Sequence, residues 1–509
     1  MTAPRLRWLA ALLVGLLLAA GQPPLLFWWC LPLGVAALFL LWRRAETGWR
    51  AFWTGWLAGT AYFAGTLFWI IEPFLVEPEK FAWMIPIALP AMAGGLALFW
   101  GGALALAHRI GRGVWAGPLA FAGCWMLGEG LRGVVLTGFP WAQPGYALVD
   151  VPPIQVAAYL GINGVTFLAL LCGTFIGVAL GPGRMMPRAV FAVLALGIGA
   201  GSWAVGAARL AIPDAPRAEP VQVGLVQPNV PQAEKWRPDL RNAQLADLLE
   251  KTRDLSSQGA EVVIWPEAAT PFPLAEDENL RVAIGQRMAP GGVVLAGGIR
   301  VEGRGTPQQR VHNSLIAIGY DGALLKTYDK QHLVPFGEYV PFDGLLTRLG
   351  VRAVISLPGG FSPGAAQDRA LTVGALPPFG AMICYEAIFP HEVLARHASV
   401  DWLVHVTNDA WFGRVAGPQQ HLVQTRVRAI ERGVPIARAA NTGISAMIDA
   451  KGRIVKALPL NQSGTVLAML PPVTSATLYS RYEEWPVLIF ILIVFFIVTL
   501  ISRFDRVKY

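Results

Sequence analysis

Three segments of this 509-residue chain set a residue of catalytic type beside an apolar run: Glu267 in "EVVIWPEAA", Lys330 in the loop "YDKQHLVPFGEYVP" stiffened by Pro335 and Pro341, and Cys384 in "FGAMICYEAIFP". A carboxylate, an ammonium and a thiol brought to one point make a nucleophile site. The carboxylate takes the thiol proton, and the ammonium favours the thiolate and holds the oxyanion formed when a carbonyl is attacked. For that work the Glu267 pKa is expected to be raised by burial. Singly, each residue has an ordinary reading: a packed core thiol for Cys384, solvated loop residues for Glu267 and Lys330. The chemistry requires all three together.

The elements that must position them begin near Pro220, where short apolar runs separated by turn residues predict strands at 221–226, 261–265, 292–297, 314–318, 371–375, 381–385, 402–406, 435–439 and 446–448. Pro266 ends strand pairing, so Glu267 is expected on a loop at the strand's C-terminal edge. Helical periodicity covers about 238–255 and 419–432, the second with Val423, Val427 and Ile430 on one side and Arg428 and Glu431 elsewhere. Asp321-Gly322 and Lys451-Gly452 read as hairpin turns. Strands mixed with helices over this length predict an α/β domain with two layers of sheet covered by helices.

The rest of the chain is too apolar for an ordinary soluble enzyme: 54% hydrophobic residues against 15% charged, with 19 tryptophans. Charge-free stretches long enough to cross a bilayer occur at 51–71, 81–107, 154–183, 189–208 and 485–502. The stretch 8–42, interrupted by Gly21-Gln22-Pro23-Pro24, reads as two spans, and 113–132 is the weakest because Glu129 and Arg132 lie in its last turn. Eight spans result, seven before the polar region and one after it. The Arg5/Arg7 start followed by an apolar run is read as an uncleaved first helix. With that start cytoplasmic, inner segments carry twelve Lys and Arg residues, while the short outer loops carry only Lys80 and Arg132. The polar region then faces away from the cytoplasm. Those twelve cations less Glu46 and Asp505 leave +10, above the +8 of the whole chain, so the basicity is topological and no nucleic-acid footprint remains.

Cys30, Cys124 and Cys172 all fall within the apolar stretches, so the polar region cannot form an internal disulfide and Cys384 is a free thiol. His332, His391, His405 and His421 lack metal-ligand spacing. No metal or cofactor is expected.

Trp265-Pro266-Glu267, Lys330 and Cys384-Tyr385-Glu386 resemble the Glu-Lys-Cys triad of the nitrilase superfamily of carbon-nitrogen hydrolases. Within it, "YDKQHLVPFGEYVP", "MICYEAIFP", "TNDAWFG", "GPQQHLVQTRVRAIERGVPIARAANTGISAMID" and "TGFPWAQPGY" are similar to the apolipoprotein N-acyltransferases. The resemblance covers essentially the whole chain. It implies a polytopic α-helical membrane protein carrying an extracytoplasmic nitrilase-like α-β-β-α sandwich: 1–210 with seven transmembrane helices, 211–484 catalytic, 485–509 an eighth helix and cytoplasmic tail. It implies a bacterial inner membrane location with both termini cytoplasmic.

The activity implied is ping-pong acyl transfer. Cys384 takes an acyl chain from a phospholipid, phosphatidylethanolamine being the expected donor, and passes it to the α-amino group of the diacylglyceryl-cysteine of an apolipoprotein. Glu267 acts as general base and Lys330 stabilises the oxyanion with the Tyr385 N–H. Glu338, from the family's "PFGE" motif, orients Lys330, and Tyr385 and Glu386 shape the pocket or close the strand. Trp236, Trp411 and Phe412 are expected to contact lipid or lipopeptide, with plain packing as the alternative. The apolar 344–357 reads as an arm dipping into headgroups or an ordinary covering loop, and Glu129 and Arg132 as an ion pair or a headgroup site. A monomer is expected. The competing readings are a membrane-anchored amidase using the same triad on water, a transporter with an outer ligand-binding domain, and a catalytically dead scaffold.

Overall fold

The computed structural model describes residues 3–341, 360–365, 370–393 and 400–507. The expected arm at 344–357 lies outside the described residues. The chain divides into two compact units: Met1–Pro213 with Val415–Arg432 and Ala476–Tyr509, and Asp214–Arg414 with Gly433–Ser475.

The first unit is helical. Four helical stretches, Pro78–Ile110, Pro152–Leu180, Met185–Ala211 and Trp485–Arg503, are long and apolar enough to cross a membrane. Helices Ala3–Ala19, Cys30–Arg43, Gly48–Thr66 and Ala116–Arg132 occupy the other expected spans but are shorter or less apolar. Small residues let helices approach closely: a Cβ on Gly15 would lie 2.1 Å from the Ala58 carbonyl oxygen. Glu129 and Arg132 are fully buried and pair with each other. Glu129 also accepts from the Trp100 indole at 2.6 Å, and Arg132 donates to the Trp141 carbonyl at 2.8 Å. With these partners supplied by protein, the pair is an internal tie and the headgroup expectation is not supported.

Helix Gly417–Arg432 belongs to this unit. Val423, Val427 and Ile430 share one cluster with Tyr146, Ile154 and Val165, as their periodicity predicts. Arg428 and Glu431, expected elsewhere on the helix, are also buried and lie 2.9 Å apart. Gly161 adopts φ +65° within the helix Ala157–Leu180. At that break the Ile162 N–H donates to Glu431 Oε1 at 2.8 Å.

The second unit contains two six-stranded sheets. In chain order the strands are β1 Gln222–Gln227, β2 Val262–Trp265, β3 Val293–Glu302, β4 Arg310–Gly319, β5 Leu324–Asp329, β6 Ala370–Leu371, β7 Phe379–Ile383, β8 Trp402–Thr407, β9 Ile436–Ala440, β10 Ser445–Ile448, β11 Ile454–Leu458 and β12 Gly464–Met469. The sheet orders are β12-β1-β2-β3-β4-β5 and β11-β10-β9-β8-β7-β6. β1–β2–β3 and β7–β8–β9 are parallel, the other pairings antiparallel. Both expected hairpin turns are present, joining β4 to β5 and β10 to β11.

Strand alternation sorts side chains to opposite faces. Val223, Leu225, Val262 and Ile264 meet Phe379, Ala381, Ile383, Val404 and Val406 between the sheets. Val226, Val263, Trp265 and Val294 turn to the outer face, where they pack on Leu248 and Leu255 of helix Arg241–Ser257 and Ile284 of helix Glu278–Gly285.

Candidate active site

Glu267, Lys330 and Cys384 lie one or two residues beyond the C-terminal ends of β2, β5 and β7. β4 runs antiparallel to both β3 and β5, so β5 has the same sense as β2 and β3 and ends at the same edge of the sheet. C-terminal strand edges are the usual place for such groups in sheets of this kind.

Glu267 reaches its place because Gly297 in β3 has no side chain. A Cβ there would stand 2.2 Å from the Pro266 carbonyl oxygen and 2.7 Å from Glu267 Cα. The turn is fastened by the Ala269 N–H, which donates to the Gly297 carbonyl at 2.8 Å. The carboxylate itself is buried and accepts from Asn313 Nδ2 at 2.7 Å and from the Asn408 main-chain N–H at 2.8 Å, with Lys330 Nζ at 3.5 Å. Asn408 is held in turn by Gln232 and Asn441 at 2.8 and 2.9 Å.

Lys330 is buried between two carboxylates, with Glu338 nearer at 2.9 Å. Glu338 also accepts from Asn313 at 3.2 Å and from the Val334 N–H at 2.7 Å, so it folds its own loop over the ammonium. Glu386 is fully buried and ties strand end to loop: Oε2 accepts the Ile383 N–H at 2.8 Å, and Oε1 accepts the Gln331 N–H at 2.8 Å and the Tyr328 hydroxyl at 2.9 Å.

Cys384 is 5% exposed and opens the tight turn Cys384–Ile388 with φ +51°, a left-handed conformation for a residue with a Cβ. Such a backbone costs on the order of 1–3 kcal/mol and is held by its surroundings. Beneath it, His405 lies 3.2 Å from the Cys384 carbonyl oxygen by Nε2 and 2.8 Å from Arg438 by Nδ1. Arginine only donates and a carbonyl only accepts, so His405 is neutral with its proton on Nε2. Arg438 in turn donates to Asp409 at 2.6 Å.

The electrostatics correct one expectation. Burial pushes the Glu267 carboxyl up, but Lys330, Lys235, Asn313 and the Asn408 N–H together outweigh it, and the group sits below the usual carboxylate range. Burial also lowers the Lys330 ammonium, yet Glu338 and Glu267 hold it well above the ordinary lysine value. For Cys384, burial and the Glu267 charge push the thiol well up, against the weaker pulls of Lys330 and the Thr407 hydroxyl. The resting group is therefore a thiol whose ionisation Glu267 opposes and Lys330 favours.

Tyr385 is buried, its ring edge-on to His332 and Phe389. Phe412 packs against the cluster that contains Cys384. Trp411 is 37% exposed on the same turn, and Trp236 is 45% exposed, with Lys235 Nζ 5.9 Å from its ring centre. Sequence reading passed over Lys235, Asn313, Asn408 and Gly297, and weighed His405 only as a metal ligand. A signal existed for Asn313, a buried amide within the apolar strand "VHNSLIAI", and for Asn408 within "TNDAWFG".

Residues 14–175 match the model of the apolipoprotein N-acyltransferase N-terminal domain, and residues 222–478 that of the carbon-nitrogen hydrolases. An apolipoprotein N-acyltransferase from Rhodopseudomonas palustris is 37% identical over 465 residues, covering 88% of this chain and 85% of its own. One from Allorhizobium ampelinum is 40% identical over 423 residues, covering 81% and 78%. Among solved structures, an amidase of the nitrilase superfamily from Nesterenkonia aligns with 50% of this chain and 92% of its own at 18% identity and a TM-score of 0.35. With both parts of the sequence matched and relatives of one name aligned along more than four-fifths of its length, this chain belongs to the apolipoprotein N-acyltransferase family.

Proposed function

We infer that Cys384 is the nucleophile of a ping-pong acyl transfer from a phospholipid to an apolipoprotein. The observation that carries this is the meeting of Glu267, Lys330 and Cys384 in one buried centre, with Lys330 3.5 Å from Glu267 and the thiol under the influence of both charges. The name shared by the relatives supports the lipid donor and lipoprotein acceptor.

In the first half-reaction the Cys384 sulfur attacks the ester carbonyl while its proton passes to Glu267. Lys330 holds the oxyanion, together with the Tyr385 N–H. The carbon–oxygen bond breaks, Glu267 returns the proton to the departing glycerol oxygen, and a thioester remains. In the second, the neutral α-amine of a diacylglyceryl-cysteine attacks the thioester. Glu267 takes the amine proton, the carbon–sulfur bond breaks, and the proton returns to sulfur. Amines attack thioesters far faster than oxygen esters, which suits cysteine to the task. Glu338 and Glu386 position Lys330 and the Cys384 turn; Trp236, Trp411 and Phe412 form the lipid-facing contacts.

The donor is phosphatidylethanolamine and the enzyme a monomer. Eight spans, with the positive residues inward, place residues 211–484 on the periplasmic side of the inner membrane and both termini in the cytoplasm. The four long apolar helices and the charge asymmetry support this arrangement. Intact mass after incubation with phosphatidylethanolamine tests the mechanism. An acyl increment absent from Cys384→Ala and removed by a diacylated lipopeptide is expected; a folded enzyme in lipid that never acquires one overturns the thioester.

A further inference from the structure

The centre contains a second buried lysine that the triad does not use. Lys235, in the segment after β1, is 4% exposed, and its Nζ donates to the main-chain carbonyl of Glu267 at 3.0 Å. Among the described residues it forms no salt bridge, so its charge is not consumed by a directly bound carboxylate. The ionisable groups that feel it are Glu267, on the loop after β2, and Cys384, on the turn after β7. Beyond them stand Lys330 and Glu338, already paired, and Asp409 with Arg438, likewise paired.

Charge balance gives this placement its meaning. Glu267 and Glu338 meet only donors among the described residues and are both carboxylates. Against them Lys330 supplies one positive charge. A buried cluster with an excess negative charge opposes any thiolate formed within it. A second ammonium brings the set of Glu267, Glu338, Lys330 and Lys235 to neutrality, and transfer of the thiol proton to Glu267 then leaves the two lysines balanced by Glu338 and the thiolate.

We propose that Lys235 is a positioning residue of the catalytic centre. It fixes the Glu267 turn through the carbonyl bond and supplies the second buried cation that lets Cys384 ionise during attack. The inference rests on Cys384 being the nucleophile. Burial draws the Lys235 pKa down to about 8, with Glu267 and Cys384 pulling it back up, so the ammonium still predominates at neutral pH.

The test is the pH dependence of Cys384 alkylation by iodoacetamide, followed by peptide mass spectrometry on the full-length enzyme in detergent without lipid. Lys235→Gln retains a donor and removes the charge. It is expected to slow alkylation at pH 7 about tenfold, the effect of one displaced pK unit, and to displace the profile upward, while Lys235→Arg stays within about threefold of the native enzyme. A folded Lys235→Gln with the native profile overturns the proposal. So does that profile with only a raised KM for phospholipid, which would assign Lys235 to the headgroup. If Lys235→Gln does not fold, Lys235→Arg decides: a tenfold loss in a folded enzyme shows that the charge is not what matters. A native Cys384 inert at every pH would instead remove the nucleophile reading itself.

Discussion

Lys330 lies nearer to Glu338, at 2.9 Å, than to Glu267, at 3.5 Å. The stronger contact holds the ammonium to its own loop and leaves the looser one to the base. Glu338→Gln keeps the shape and removes that anchor, so Lys330 is expected to swing onto Glu267 and pin it. Acyl-enzyme formation, measured as a single-turnover burst, should fall by about 100-fold, the scale of a misplaced reacting group. A burst rate within a few-fold of native would show that Glu338 does not position Lys330.

Glu267 both raises the Cys384 pKa and, in the proposed reaction, receives its proton. Glu267→Gln separates the two effects. Alkylation, which needs only thiolate, is expected to stay as fast or become faster, while acyl transfer drops by roughly 100-fold or more. Parallel losses in both would argue against a base role.

The same carboxylate carries a stability signature. Its folded pKa is depressed, so its contribution is present above the unfolded value of about 4.3 and is lost as pH falls through the lower folded value. The difference in melting temperature between the native enzyme and Glu267→Gln should therefore narrow from pH 7 towards acid. A constant difference would show that the site does not favour the charged form.

The Glu267 and Cys384 segments were legible because each ends an apolar run at a residue that does not belong in one, and the Lys330 segment only through the family strings around it. The buried strands were legible from their apolar runs. β5, β11 and β12 were not, all three being sheet edges that are exposed or half-buried over most of their length, although the turns Asp321-Gly322 and Lys451-Gly452 marked where the first two begin. The sign of the Glu267 shift was also out of reach. Burial alone predicts a raised pKa, and only the folded chain shows Lys330, Asn313 and the Asn408 N–H meeting one carboxylate with the Lys235 charge nearby. Gly297 is a similar case, since a glycine in a strand does not reveal which backbone crosses it.

Gly297 gives a steric prediction. In Gly297→Ala the new methyl would stand 2.2 Å from the Pro266 carbonyl oxygen, a backbone atom with no rotamer to escape into. The Glu267 turn must move, and acyl transfer is expected to fall by about 100-fold while helix Arg241–Ser257, packed on the outer face, keeps the unit folded. Near-native activity would show that the turn relaxes without displacing the base.

Gln420, in helix Gly417–Arg432, uses both ends of its amide inside the first unit. Oε1 accepts from the indoles of Trp69 and Trp141 at 3.0 and 2.7 Å, and Nε2 donates to the carbonyls of Pro23 and Thr66 at 3.1 and 2.9 Å. All of these lie away from water, so Gln420→Leu strands two donors and two acceptors at once. Each orphaned group costs about 1–3 kcal/mol, partly relieved by repacking. Gln420→Leu is expected to lower thermal stability by several °C in detergent, read as the melting temperature beside the native enzyme. An unchanged melting temperature would show that the four bonds contribute nothing net and that apolar packing alone holds the helix in place.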